Sequence, residues 1–105
     1  RLFQLIRETK AEGVVFLSGD THYGELTQLD ANVPYPMMDL TSSGLTEEWH
    51  VPVPNALRVG AAHHTANFGL VEIDWARRRL RLGLRDAGGA TLLEHGIDLA
   101  SLRVR

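Results

Sequence analysis

Two stretches near the C-terminal end alternate in polarity so regularly that they admit one local structure. Along Leu70–Trp75, Val71, Ile73 and Trp75 fall on one face, and Glu72 and Asp74 on the other. Along Arg79–Arg85, Leu80, Leu82 and Leu84 share one face, and Arg79, Arg81 and Arg85 the opposite one. A period of two residues marks a strand with one buried face. Ala76-Arg77-Arg78 leaves room for a turn between the two. Antiparallel pairing then buries the aliphatic face and sets acids across from arginines, worth ~0.2–1 kcal/mol per pair. Gly88-Gly89 turns the chain into a third strand near Thr91–His95, which makes the last third a β-meander.

The upstream part is more mixed. Leu2, Leu5, Ile6 and Thr9 recur at helical spacing, which predicts a helix over 1–12 with Lys10 in its last turn and Gly13 as its stop. The chain opens inside or near the start of that helix, without Met or an N-cap residue, so further sequence is expected before Arg1. The apolar run Val14-Val15-Phe16-Leu17, bounded by Gly13 and Gly19, reads as a strand over 14–18 buried on both faces, as in a parallel sheet. Glu25–Leu29 alternates and reads as a short strand, broken by Asp30-Ala31-Asn32 and by Pro34 and Pro36. Met37–Ser42 reads as a strand running into a polar turn. From Leu45 to Thr65 no period is visible. This stretch holds Pro52, Pro54, Gly60 and three of the five histidines, and reads as a long loop with one helical turn. The expected class is α/β, in one domain spanning 1–105.

Composition narrows the functional classes. With 105 residues, 44% hydrophobic and 23% charged, the chain can build one small core. A net charge of −2 gives no electrostatic case for nucleic acid. The arginines at 77–79, 81 and 85 are offset by neighbouring acids. No apolar stretch approaches the ~20 residues of a membrane span. The absence of cysteine excludes disulfides and thiolate metal sites.

Chemistry concentrates in Ser18-Gly19-Asp20-Thr21-His22, just after the first apolar run. In extended chain, positions i and i+2 point the same way, so Asp20 and His22 would face one spot at a strand's C-terminal end. Ligands of open α/β sheets bind at such ends. A carboxylate and an imidazole are both good ligands for divalent metals. The alternative from spacing alone is a turn-capping Asp beside a surface His.

Three segments resemble one family. They are 13–26, with Ser18-Gly19-Asp20-Thr21-His22-Tyr23-Gly24 at its heart; 35–46, Tyr35-Pro36-Met37-Met38-Asp39-Leu40-Thr41-Ser42-Ser43-Gly44-Leu45-Thr46; and 67–74, Asn67-Phe68-Gly69-Leu70-Val71-Glu72-Ile73-Asp74. In this order they resemble the C-terminal part of PhoD-like alkaline phosphatases, a branch of the metallophosphoesterases. The resemblance implies a layered α/β/β/α fold and metal-dependent hydrolysis of phosphate mono- or diesters. It implies a two-metal centre of divalent or trivalent ions (Fe, Ca, Mn or Zn), with Asp20 and His22 as catalytic metal ligands. The family's upstream Asp, Asn and His ligands have no counterpart here, so the chain reads as one wall of a metal site, inactive by itself. A partial fold of this kind leaves a sheet edge unpaired, and self-association through that edge is expected. The alternative is a non-catalytic β-rich structural or interaction module derived from the same fold.

The other candidates carry less. His63-His64 are adjacent, point oppositely in a strand, and read as a solvated pair. His50 beside Trp49 reads as part of a loop anchor, and His95 as structural. Tyr23 and Asn67 could contact phosphate, as hydroxyl and amide groups do in many settings. Ser42-Ser43-Gly44 lacks a Gly-x-Ser-x-Gly elbow and reads as a structural turn. Gly60 and Gly69 form no phosphate cradle.

Overall fold

A computed structural model describes residues 1–51 and 53–104. The domain is β-rich. Helix α1 (Leu2–Thr9) precedes strands β1 (Phe16–Ser18), β2 (Gly24–Leu29), β3 (Met37–Ser42), β4 (Arg58–His63), β5 (Asn67–Asp74), β6 (Arg79–Asp86) and β7 (Thr91–Asp98). A 3₁₀ turn, Leu99–Ser101, follows. The strands form two sheets, ordered β1-β3-β2-β4 and β5-β6-β7.

The predicted meander is present, with longer strands. Register sets Glu72 opposite Arg81 and Asp74 opposite Arg79. Arg81 bridges Glu72 at 3.0 Å and Glu94 at 3.2 Å, while Asp74 instead meets Arg77 in the turn at 3.3 Å. Leu80, Leu82 and Leu84 are buried as expected. The β5 side departs from expectation. Val71 and Ile73 are 42% and 45% exposed, and Trp75 lies beyond the strand at 75%. Strand β5 is the edge of its sheet, and its apolar side is covered only near Asn67, where Gly69 meets Leu40 and Ser42 of β3.

That contact also orients the first sheet. Leu40 and Ser42 face the second sheet, so Met37, Asp39 and Thr41, alternating with them, face away. The shared core holds Leu26, Leu40, Leu82, Leu84, Ile97 and Leu102. Helix α1 lies on the outward face, where Phe3 meets Phe16 edge-on at 6.4 Å between ring centroids.

Several expectations are corrected. The mixed, β-rich character is present, as two largely antiparallel sheets and one short helix, and the described residues do not form the expected α/β/β/α layers. Among the described residues only the β1–β3 pairing is parallel. The helix ends at Lys10, not Gly13. Lys10 takes the left-handed conformation (φ 55°) and its N–H reaches the Ile6 carbonyl. The strand over 14–18 shortens to Phe16–Ser18 and is not buried on both faces. It is an edge strand, with Leu17 67% exposed. The stretch read as a loop from Leu45 to Thr65 contains β4. Pro52, read as one of that loop's breakers, lies outside the described residues. No helix of the described residues is long and apolar enough to cross a membrane.

Candidate functional site

Strand β1 ends at Ser18, and the chain enters a loop, 19–23, before β2. Asp20 and His22 both sit in the left-handed region, at φ 74° and 60°. Few non-glycine residues adopt it, though Asp, Asn and His are enriched there. The i, i+2 argument for extended chain therefore fails at this point. The two residues belong to a tight loop with left-handed positions at the end of β1, which pairs parallel with β3. Asp20 is exposed, and the His22 side chain is 40% exposed.

Contacts from the next loop hold this backbone. The His22 N–H donates to Ser43 Oγ at 2.9 Å, and Thr21 Oγ1 lies 3.3 Å from the same oxygen. The Ser43 N–H reaches the Tyr23 carbonyl at 3.3 Å, and the Trp49 N–H reaches the His22 carbonyl at 2.9 Å. Ser43 thus serves as the structural turn expected of it. Gly44 is required beside it, because a Cβ there would sit 2.8 Å from Asn67 Nδ2 and 3.1 Å from the His22 carbonyl oxygen.

Asn67 underlies the whole end of the sheet. It is 1% exposed. Its Oδ1 accepts from Ser42 Oγ at 2.8 Å, and its Nδ2 donates to the Thr65 carbonyl at 2.8 Å and to the His63 carbonyl at 3.4 Å. The role found for Asn67 is to tie the end of β3 to the β4–β5 connection.

The structure brings other groups to the same end. Glu47 Oε2 stands 3.7 Å from His22 Nδ1. His50 Nε2 lies 3.1 Å from Glu48 Oε2, whose other oxygen accepts the Ala66 N–H at 2.8 Å. The His64 ring packs on Tyr23 and His50, with centroids 5.5 and 6.3 Å away, and its Nδ1 lies 2.6 Å from the Trp49 carbonyl oxygen. His64 is thus a packed loop residue and not half of a solvated pair. Burial lowers the pKa of His63 below 6.5, and neighbouring His64 pushes in the same direction. His95 stands apart on β7. Glu47 and Glu48 were not singled out in the sequence. Their one signal was an acidic pair just before Trp49-His50 in an unpatterned stretch.

Oxygen and nitrogen donors at Asp20, His22 and Glu47 suit Mn, Fe or Zn chemically. Among the described residues, however, no three His, Asp or Glu side chains form a group that could hold a metal ion. These donor types suit such an ion, and the described residues do not close a site around one. No family model, curated protein or solved structure matches this chain.

Proposed function

We propose that this chain is the C-terminal part of a PhoD-like metallophosphoesterase domain, in which Asp20 and His22 contribute to a two-metal centre that hydrolyses phosphate esters. One observation supports this reading above the others. Two non-glycine residues of one five-residue motif are left-handed at a strand end, and Ser43 and Trp49 hold the backbone of the second, His22. Backbone of this kind costs ~1–3 kcal/mol per residue and clusters at functional sites. The resemblance of the three segments adds to it. Bound metals supply Lewis-acid activation of the phosphoryl group and of the attacking water. Asp20 and His22 would hold them from this side, with Glu47 positioned beside the imidazole. The remaining ligands come from outside this chain.

A second reading, a non-catalytic β-rich module, is favoured by the lack of a three-ligand group among the described residues. Titration with Mn²⁺ separates the two. Asp20→Asn and His22→Asn, both compatible with left-handed backbone, are expected to weaken binding by at least about tenfold. Unchanged affinity in both variants supports the module instead. The chain alone is expected to show little or no metal-dependent hydrolysis of p-nitrophenyl phosphate, and robust turnover contradicts the incomplete-site reading.

A further inference from the structure

Strand β5 is paired on one side only, with β6. The alternation of its backbone fixes which groups the open side presents. The Asn67 N–H turns away from β6 and donates to the Gly44 carbonyl at 3.3 Å. In an antiparallel ladder the direction reverses at each residue. Phe68, Leu70, Glu72 and Asp74 therefore bond to β6, and the N–H and C=O groups of Gly69, Val71 and Ile73 point outward. The other strand agrees: the Asp86 N–H, across from Asn67, also leaves this ladder, for the Ala90 carbonyl at 2.9 Å. Gly69, Val71 and Ile73 are all exposed, and their backbone groups find no partner among the described residues. Such a row of donors and acceptors is the template for one more strand.

The side chains along this edge specify that strand. Val71 and Ile73 offer apolar contact on one face. Glu72 and Asp74 offer carboxylates on the other, with side chains 44% and 41% exposed, and β5 carries no cation. Each carboxylate engages one arginine, Arg81 or Arg77, and keeps acceptor capacity for another donor. The inner side of β5 shows what such a strand pairs with. Leu82 and Leu80 stand across from Val71 and Ile73, and Arg81 and Arg79 stand across from Glu72 and Asp74. Side chains of β5 flank both of its edges, so the outer one asks for the same alternation.

We propose that the outer edge of β5 takes an extended segment of a partner polypeptide, paired antiparallel, in which aliphatic residues alternate with Lys or Arg. Its backbone bonds to Gly69, Val71 and Ile73, its aliphatic residues lie beside Val71 and Ile73, and its cations lie beside Glu72 and Asp74. Glu72 and Asp74 fall at the non-hydrogen-bonded positions of the new ladder, where facing side chains come closest. The proposal is independent of the metal reading: β5 leaves the Asp20–His22 end at Asn67, and Ile73 is about 20 Å further along.

The test is an NMR titration of the ¹⁵N-labelled full chain with the peptide Arg-Leu-Arg-Leu-Gly-Leu-Arg, a copy of Arg79–Arg85. The amides of Gly69, Val71 and Ile73 are expected to shift downfield and to exchange about tenfold more slowly at saturation. Those of Leu70 and Glu72, already bonded to β6, stay as they were. Val71→Pro removes an outward N–H and no bond to β6, and is expected to weaken the peptide by about tenfold or more. Glu72→Gln is expected to weaken it about threefold. A peptide of the same composition with the alternation scrambled, and one with Glu for each Arg, should bind about tenfold more weakly. The proposal is overturned if the three amides of the parent chain do not respond, if either control peptide binds as well, or if folded Val71→Pro binds like the parent. A sedimentation dimer that Val71→Pro breaks overturns it too, because a second copy of the chain then holds the edge.

Discussion

His22 and Ser43 are joined by a hydrogen bond from the His22 N–H to the Ser43 hydroxyl at 2.9 Å. The bond links the loop after β1 to the residue just after β3, strands that run parallel side by side. It fixes the backbone that presents the imidazole, and the same oxygen lies 3.3 Å from Thr21 Oγ1.

Ser43→Ala removes that acceptor. The loss is expected to cost about 1 kcal/mol of stability and to speed hydrogen exchange at the His22 amide by an order of magnitude or more. Exchange measured by NMR checks it. A His22 amide as protected as in the parent chain would show that Ser43 is not what holds the loop.

Asn67→Ala should be the more damaging change. Three side-chain bonds disappear, and the half-buried Ser42 hydroxyl and the Thr65 and His63 carbonyls lose a partner. Each orphaned group costs ~1–3 kcal/mol, so a loss of about 2–4 kcal/mol in urea unfolding is expected. A loss below about 0.5 kcal/mol would mean that the end of β3 and the β4–β5 connection hold together without it.

The pH dependence near neutrality turns on His63. Its folded-state pKa lies below the ordinary 6.5, through burial first and His64 second. The unfolded chain therefore takes up the proton first. Stability from this group is complete above pH 6.5 and falls as the pH drops below it, with the slope set by the extra proton on the unfolded chain. The urea midpoint should decline from pH 7.5 to 5.5, and His63→Gln should flatten the decline. Identical pH profiles for the two proteins would exclude His63 as the source.

Leu17 marks the free edge of the first sheet, 67% exposed on a strand paired on one side only. Open apolar edges recruit other strands. Sedimentation at rising concentration is expected to reveal self-association, and Leu17→Lys to suppress it. A parent chain that stays monomeric at millimolar concentration contradicts this.

How far the sequence could be read follows from these same places. The meander was legible because β5 and β6 alternate strictly, and the resulting register pairs Glu72 with Arg81. Strand β4 was not, because Arg58-Val59-Gly60-Ala61-Ala62-His63 has no period. Gly60 is left-handed within it (φ 72°), and its register against β2 shifts between Gly24 and Leu26. The run Val14–Leu17 misled for another reason. Hydrophobicity on both faces of a strand implies two covers, and here Phe16 packs against Phe3 of α1 while Leu17 on the opposite face is 67% exposed. At the site, Asp20 and His22 were visible as a motif, whereas the approach of Glu47 to His22 depends on the path of a loop that no local pattern encodes.

The central claim is that Asp20 and His22 bind metal from this chain. Paramagnetic broadening by sub-stoichiometric Mn²⁺ in ¹⁵N NMR spectra tests it most directly. The account predicts that amides 20–22 and Ser43 broaden first, and that Asp20→Asn with His22→Asn removes the effect. Broadening centred on His50 and His64, or unchanged in the double variant, would contradict it.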